Sequence, residues 1–410
     1  MQDDLTADTE PLRRRWTNPL TSATRWALKR LLDRKLDGAI RVVLPQGESM
    51  HFGSAGETAE PIVRLRTYRA VAGIVRRGAI GFAEGYMNGD IDCSDLPGLF
   101  RFVLRNRHRL GTSGKVVLSA RLRDRIAHGR RHNSRRGSRR NIPEHYDLGN
   151  AFYRLWLDPE MLYSSGYYRK GTETLEAAQA AKLQKINDLL ELQGGESVLE
   201  IGCGWGAFAL RAAEQYQVQV DGVTLSHEQL DHACKAAKER GLSSLCRFRL
   251  EDYRDIRGCY DRIVSIEMIE AVGEAYWSDY FQVLHDRLAP EGTAVIQAIT
   301  IDERRFDTYR RSADFIQRYV FPGGMLPTPR IIERYAAASG LRLDHVESFG
   351  PSYAHTLREW YRRFEAAWPD IARLGFDENF RRRWRYYLAY CEAGFDEGSI
   401  DVGFYRLRKK

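Results

Sequence analysis

Short apolar runs alternate with amphipathic stretches through the second half of the chain. The runs have the length of buried strands, and the stretches between them have the spacing of helices. Strands are predicted at SVLEIGCG (197–204), VQVDGVTLS (218–226), CRFRLEDY (246–253), DRIVSIEMI (261–269) and TAVIQAIT (293–300). Helices are predicted at AFALRAAEQY (207–216), HEQLDHACKAAKERG (227–241) and YWSDYFQVLHDRLAP (276–290). This alternation predicts an α/β domain with a doubly wound, parallel sheet.

The first third of the chain has a different texture. Residues 26–36 have the apolar spacing of a short helix with a basic face, and residues 38–70 alternate as strands do. Residues 71–104 are predicted to be helical, with a loop over 81–100 that leads into another helix. These patterns predict a smaller α+β domain.

Three further segments complete the organisation. Residues 121–140 have almost no apolar content and are predicted to be a basic linker between domains at 1–120 and 141–410. Residues 302–335 interrupt the strand and helix rhythm and are interpreted as an inserted cap. The last part, rich in Trp and Tyr, is predicted to be helical at HTLREWYRRFEAAWPDI (355–371) and FRRRWRYYLAYCEAGF (380–395).

The net charge of +8 is unevenly distributed. Residues 1–140 hold 28 Lys and Arg against 14 Asp and Glu, whereas residues 141–410 hold 35 against 41. Such a basic region attracts polyanions, either nucleic acid or an anionic membrane surface. No run of about 18 apolar residues predicts a spanning helix, and no apolar segment resembles a secretory signal, so we expect a cytoplasmic protein.

The six cysteines are dispersed and form no CxxC pair. Neither a metal site nor a disulfide framework is expected from this spacing. Reduced thiols are therefore the simplest interpretation.

A glycine turn carries the strongest local signal. Gly202, Gly204 and Gly206 follow a predicted strand and precede a helix, where backbone can approach a ligand closely. The dinucleotide spacing Gly-x-Gly-x-x-Gly is absent. Glu200, just before the turn, favours a cationic ligand and suits the amino end of S-adenosylmethionine (SAM).

The next two strands end in polar residues. Thr224 and Gln229 stand where a ribose is bound in doubly wound folds, and Glu251 and Asp252 stand where an adenine amino group is read. Each residue alone is more simply a capping or surface residue. Together, in order on successive strands, they predict a nucleoside site.

Several longer motifs resemble those of the cyclopropane fatty acid synthases and the related mycolic acid methyltransferases. They are EHYDLGNAFYRLWLD (144–158), MLYSSGYY (161–168), AQAAKLQKI (178–186), VLEIGCGWG (198–206), GVTLSHEQ (222–229), DYRD (252–255), DRIVSIEMIEAVG (261–273), FIQRYVFPGG (315–324) and WYRRFEAAWPDI (360–371). GFAEGYMNGDIDCSDLPGLF (81–100) resembles the smaller lipid-side domain of the full-length synthases. The resemblance implies a class I SAM-dependent methyltransferase, Rossmann-like in fold, with this lipid-side domain at its N-terminus.

The resemblance also implies an activity. The family transfers the methyl group of SAM to the double bond of an unsaturated acyl chain, usually in a phospholipid, and proton loss then closes a cyclopropane. The residues it places on the cofactor are Tyr163, Ser164, Gly202, Thr224, Gln229, Glu251 and Asp252. The implied partners are an unsaturated phospholipid and a second copy of the chain.

The family's active site holds a bicarbonate as base, and this chain matches that site in part. Glu270 and Tyr319 match, whereas Ser165 stands in place of a Cys and Gln297 in place of a His. Ser and Gln can donate hydrogen bonds to an anion but cannot act as bases near neutral pH. The product is therefore open between a cyclopropane and a methylene, methyl-branched or furan-precursor lipid. Glu267 is the rival of Glu270 as the functional carboxylate.

Two classes of function follow. The first is an interfacial enzyme whose basic N-terminal region holds it on the inner face of an anionic membrane. The second, more remote, is a nucleic-acid-binding methyltransferase whose arm at 121–140 grips phosphates. Base-flipping motifs are absent and the motifs favour lipid, so no nucleic acid is expected as a partner.

Overall fold

The computed structural model describes residues 19–33, 35–54, 60–110, 148–311 and 314–409. The predicted basic linker at 121–140 lies outside these ranges. Among the described residues, no helix is both long and apolar enough to cross a membrane.

The N-terminal part packs helices against a small four-stranded sheet of order β2-β1-β3-β4. Its elements are α1 (Pro19–Leu32), β1 (Ala39–Val43), β2 (Ser49–Gly53), β3 (Ile62–Leu65), α2 (Tyr68–Arg77), α3 (Ala79–Met87), β4 (Ile91–Cys93), α4 (Leu96–Arg105) and α5 (Arg107–Leu110). Exposed and buried positions alternate along β2, so one face of the sheet meets the core.

The predicted loop over 81–100 is wrong, because α3, β4 and the start of α4 occupy it. The glycines of this segment favoured a loop in the prediction, but one of them is required for helix packing. A Cβ at Gly81 would lie 2.0 Å from the carbonyl oxygen of Gly73 in α2, so glycine here permits close helix packing.

The larger part is built around a seven-stranded sheet of order β10-β11-β9-β8-β5-β6-β7. Its strands are β5 (Ser197–Ile201), β6 (Gln219–Thr224), β7 (Cys246–Leu250), β8 (Tyr260–Ile266), β9 (Leu288–Ile301), β10 (Leu341–Ser348) and β11 (Ile400–Lys409). β5 to β9 pair in parallel, and β11 runs antiparallel to both β9 and β10. The five parallel strands confirm the predicted doubly wound sheet, whereas β10 and β11 were not predicted.

Helices cover the sheet and extend beyond it. They are α6 (Asn150–Arg154), α7 (Leu175–Leu190), α8 (Ala207–Tyr216), α9 (His227–Glu239), α10 (Ile269–Val272), α11 (Trp277–Arg287), α12 (Glu303–Tyr309), α13 (Phe315–Tyr319), α14 (Pro329–Ala338), α15 (Gly350–Ala366), α16 (Trp368–Arg373) and α17 (Glu378–Asp396). The segment interpreted as a cap contains α12, α13 and most of α14. The strand order reverses between β5 and β8, and ligands of such sheets bind outside the carboxyl ends of the strands at this point.

The N-terminal part packs against α17. The rings of Phe100 and Tyr386 meet edge to face with centroids 4.8 Å apart. Arg382 forms an ion pair of 2.8 Å with Asp92. These contacts place α3 and α4 beside the helices that surround the site.

Candidate active site

Two cavities meet at the carboxyl ends of β5 and β8. The first is lined by the glycine turn and the ends of β6 and β7, and the second, more apolar, lies between α10, α13, α15 and α17. Tyr163, Glu267 and Ala271 line both. The two cavities therefore share a wall made of these three residues.

The first cavity brings together nine of the ten predicted cofactor residues. They are Tyr163, Ser164, Glu200, Gly202, Gly204, Thr224, Gln229, Glu251 and Asp252. Gly206 does not line it. This glycine is the N-cap of α8, with a φ of 88°, and a Cβ there would lie 3.0 Å from Ala233 and Phe248, so glycine lets the start of the helix approach its neighbours.

Glu200 is a buried carboxylate that faces the first cavity. Its Oε2 atom has no hydrogen-bond partner among the described residues. Burial raises its pKa to about 8, and the backbone N–H of Ala209 and the charge of Lys182 act against that rise. An unsatisfied buried carboxylate is costly unless a cation pairs with it, so this position suits a cationic ligand group.

The polar residues after β6 and β7 are already organised. Thr224 donates to Gln229 over 2.7 Å, and the carboxylate of Asp252 accepts from Arg254 over 2.8 and 2.6 Å. Glu251 forms an ion pair with Arg249 of 3.2 Å. These bonds fix the side chains before a ligand arrives, which is the preorganisation that tight binding requires.

Lys182 is a site residue that the sequence reasoning missed, although it lies in a matched motif. It is fully buried in α7, and its Nζ donates to the Ser164 hydroxyl over 2.7 Å. Burial lowers its pKa to about 8, while Glu267 and Asp158 act against that change. Lys182 therefore positions Ser164 and places a cation among the buried carboxylates of the site.

Glu267 occupies the wall between the cavities, and three donors hold its carboxylate. Oε1 accepts from the backbone N–H of Ser165 over 2.8 Å and from the Gln297 amide over 2.7 Å. Oε2 accepts from the Tyr353 hydroxyl over 2.6 Å. Its φ of 50° is in the left-handed region, and such strain persists where the surroundings impose it, often at functional sites.

Glu270 lies one helical turn further, in α10, and lines only the apolar cavity. One of its oxygens accepts from the backbone N–H of Ile299, and the other has no partner among the described residues. Burial, followed by the charge of Glu267, raises the pKa of Glu270 to about 8. Burial also raises the pKa of Glu267, but hydrogen bonds from Tyr353 and Ser165 and the charge of Lys182 oppose the rise. The donors to Glu267 therefore favour its ionised form, whereas burial beside Glu267 favours the protonated form of Glu270.

The structure does not bring Tyr319 to this carboxylate pair. Its hydroxyl donates to Glu84 of α3, and it accepts from Arg318 over 3.1 Å. Tyr319 lines neither cavity. Its role at the anion site stays a prediction, while Tyr353, which the sequence did not single out, donates to the carboxylate of Glu267.

Comparison with known proteins agrees with this geometry. The family described as mycolic acid cyclopropane synthetase matches residues 133–404. The chain belongs to this family. It is 37% identical to the tuberculostearic acid methyltransferase UfaA1 of Mycobacterium tuberculosis over 94% of this chain and 91% of that protein. It is 39% identical to the cyclopropane-fatty-acyl-phospholipid synthase of Escherichia coli over 80% of this chain and 83% of that protein.

A solved structure of the family is similar in fold. The mycolic acid cyclopropane synthase CmaA1, complexed with S-adenosylhomocysteine (SAH) and CTAB, superimposes with a TM-score of 0.63 and is 33% identical. The match covers 66% of this chain and 98% of that chain. The protein is thus a SAM-dependent lipid methyltransferase with the class I fold.

The first cavity fits the cofactor of this cyclopropane synthase family. The unpaired Glu200 carboxylate suits its amino group, and the backbone of the glycine turn can approach its methionine part without a Cβ in the way. Individual contacts to the cofactor stay predictions.

The second cavity does not fit bicarbonate at the expected position. At the two positions where the family pattern has Cys and His, the backbone N–H of Ser165 and the side-chain amide of Gln297 donate to the Glu267 carboxylate, while the Ser165 hydroxyl donates to the carbonyl oxygen of Gly166. A carboxylate of this chain therefore takes up donors that an external anion needs. A further anion there meets two buried carboxyl groups, which is unfavourable.

Proposed function

We propose that this enzyme transfers the methyl group of SAM to a carbon of the double bond in an unsaturated phospholipid acyl chain and closes a cyclopropane. The observation that supports this most directly is the shared wall, because Glu267 faces the cofactor cavity and the apolar cavity at once. The apolar cavity has a volume of about 1460 Å³ including its open mouth, and its lining is largely aliphatic and aromatic. A long acyl chain is the ligand that such a cavity suits.

The residues at the wall suit the chemistry of a weak nucleophile. SAM supplies an electrophilic methyl group, and attack by the double bond leaves a cation in the acyl chain. Glu267 places a negative charge beside that cation. Tyr163 and Tyr387 add aromatic faces, and the Tyr163 hydroxyl donates a hydrogen bond of 2.9 Å to the Tyr387 hydroxyl. Glu267 then accepts the proton whose loss closes the ring.

A second product is favoured by the two departures from the family pattern. The Gln297 amide and the backbone N–H of Ser165 donate to Glu267, and the Ser165 hydroxyl is held by the carbonyl oxygen of Gly166, so the proton acceptor is fixed on one side of the acyl chain. If a hydride first shifts from the methylated carbon to the adjacent cationic carbon, loss of a proton from the new methyl group gives a methylene lipid, which a separate reduction converts into a methyl branch. Furan-precursor lipids belong to the same alternative.

The substrate class is tested with labelled SAM and two acceptors, vesicles of unsaturated phosphatidylethanolamine and structured RNA. We expect label in the acyl chains and none in RNA. A ring and a methylene add the same mass, so chromatography followed by fragmentation is used to separate the two products. Label confined to RNA would contradict the lipid assignment and favour the nucleic-acid alternative.

We also propose that the enzyme docks on the inner face of an anionic membrane through its N-terminal part. Helix α1 exposes Leu20, Trp26 and Leu31, and Trp26 is 64% exposed with Arg30 stacked 5.4 Å from its ring centroid. An exposed indole beside basic residues is typical of helices that lie at a lipid interface. We also propose that the chain is divided into domains at 1–120 and 141–410. The same proposal includes a homodimer.

Replacement of Trp26 by Ala tests the docking surface. We expect affinity for vesicles containing phosphatidylglycerol to fall about tenfold, because the buried indole contributes about 1.5 kcal/mol. Sedimentation with vesicles measures it, and Val75→Ala in α2, where the side chain is 53% exposed, is the control. Equal binding by wild type and the Trp26 variant would show that α1 does not contact lipid.

A further inference from the structure

The apolar cavity has two arginines beside one stretch of its lining. Arg305, from α12, lines the cavity, and its guanidinium donates to the carbonyl oxygen of Ser399 over 3.0 Å. Arg107, from α5, donates to the Ser399 hydroxyl over 3.3 Å. Ser399 also lines the cavity, so one residue anchors two cations from distant parts of the chain.

Neither arginine is neutralised by a carboxylate within 4.0 Å among the described residues. Their neighbours differ, because Arg101 pairs with Asp396 at 3.0 Å and Arg105 pairs with Glu397 at 2.8 Å. Two carboxylates act on these cations from a greater distance, Asp302 on Arg107 and Asp314 on Arg305, and each also has a closer partner. Asp302 pairs with Arg304 at 2.6 Å, and Asp314 accepts from the backbone N–H of Gln317 over 3.0 Å as a helix cap.

The pair lies at the boundary between the cavity and solvent. Arg107 and Arg305 are both half-buried, whereas Ser399 between them is 1% exposed. Two half-buried guanidinium groups fixed beside an apolar cavity form a site for an anion, and Arg matches the oxygens of a phosphate well.

The distance to the carboxylate pair suits a phospholipid. Glu270 accepts from Ile299, and Ile299 pairs with Val402 in β11, three residues from Ser399. At about 3.3 Å per residue the separation along the strand is roughly 10 Å. This is the order of length of the acyl segment between the ester group and a double bond in the middle of the chain, to which the glycerol adds a few bonds before the phosphodiester.

We propose that Arg107 and Arg305 bind the phosphodiester of a glycerophospholipid whose unsaturated chain lies in the apolar cavity. The inference rests on the proposed function, and it assigns the selectivity for phospholipid over neutral lipid or free fatty acid to these two residues. They are positioning residues, since neither touches the reacting atoms.

The test compares three soluble inhibitors of vesicle methylation: dioctanoylphosphatidylethanolamine, dioctanoylglycerol and octanoate, each below its critical micelle concentration. We expect wild type to prefer the phospholipid over the diacylglycerol by about tenfold or more. Arg107→Gln and Arg305→Gln each weaken inhibition by the phospholipid about tenfold and leave inhibition by the diacylglycerol unchanged. Arg311→Gln is the matched control, because that exposed arginine lies just after α12 and pairs with Asp307 at 3.9 Å.

The outcomes separate this inference from the proposed function. An unchanged preference in both variants overturns the phosphate site, and so does weakening confined to octanoate, which indicates a carboxylate site. Failure of wild type to methylate vesicles contradicts the proposed function instead. Calorimetric binding of SAH shows whether each variant is folded. If Arg305→Gln does not fold, Arg107→Gln, which is remote from the sheet, tests the phosphate site by itself.

Discussion

Replacement of Glu267 by Gln is expected to lower kcat for methyl transfer about a thousandfold. The amide has the same size but lacks the charge that stabilises the acyl cation and accepts its proton, and losses of 10²- to 10⁴-fold are usual for such groups. Affinity for SAH stays within about threefold, since the thioether of SAH carries no charge for Glu267 to meet. Single-turnover rates with labelled SAM and calorimetry with SAH measure the two effects separately.

Glu270→Gln is the matched comparison. Burial and the charge of Glu267 favour the protonated form of Glu270, and an amide oxygen can still accept from the backbone N–H of Ile299. We therefore expect a loss of less than tenfold. A larger loss from Glu270→Gln than from Glu267→Gln would show that Glu270, which the sequence favoured, is the functional carboxylate.

The pH dependence of kcat follows from the same pair. Burial raises the pKa of Glu267 above that of an ordinary carboxyl group, so the active, ionised form is lost as the pH falls through this raised value. The acidic limb of the kcat profile is expected to disappear in Glu267→Gln. A limb that persists there would belong to another group.

Much of the fold follows from the local pattern of residues, because β5 to β9 are short apolar runs separated by amphipathic helices. The antiparallel strands β10 and β11 carry charged residues such as Arg406 and Arg408, which pair with Asp344 and hide the strand pattern. Helix α3 was missed because Gly81 is required by contact with Gly73 and not by a turn. In both cases packing between distant segments determines the local structure.

The cofactor cavity could be predicted since its residues follow successive strands in order. The carboxylate site could not be predicted in the same way, because the donors to Glu267 lie 102, 86 and 30 positions away in the chain. The motif match identified Ser165 and Gln297 as departures from the family pattern. Only the fold shows that the Gln297 amide and the backbone N–H of Ser165 both donate to Glu267, and not to Glu270, which the sequence favoured.

Replacement of Glu200 by Gln is expected to weaken SAH binding about a hundredfold. The variant removes the buried charge that we predict to pair with the ligand's amino group, and truncation of one member of such a pair costs about 2 to 5 kcal/mol. The amide is close in size to the carboxylate, so the β5 strand keeps its packing. Calorimetry gives the affinity, and Asp231→Asn, in α9 outside the cofactor cavity, serves as the control.

Proton release gives a sharper signature of the same contact. With a pKa of about 8, Glu200 is largely protonated at pH 7 in the ligand-free protein, and a cationic amino group lowers that pKa. SAH binding at pH 7 is therefore expected to release close to one proton from wild type and none from Glu200→Gln. Calorimetry in two buffers of different ionisation enthalpy measures this number, and equal release by both proteins would exclude Glu200 as the partner of the amino group.

The pH dependence of the stability of the ligand-free protein follows from the same raised pKa. Because the folded pKa of Glu200 lies above its unfolded value of about 4.3, its protonation favours the folded state most below that value. The contribution is lost as the pH rises through about 8. Glu270 acts in the same direction, so Glu200→Gln reduces the decline in Tm between pH 6 and pH 9 and does not abolish it. Stabilisation by SAH, in contrast, grows over this range in wild type, because the ligand binds the ionised form of Glu200.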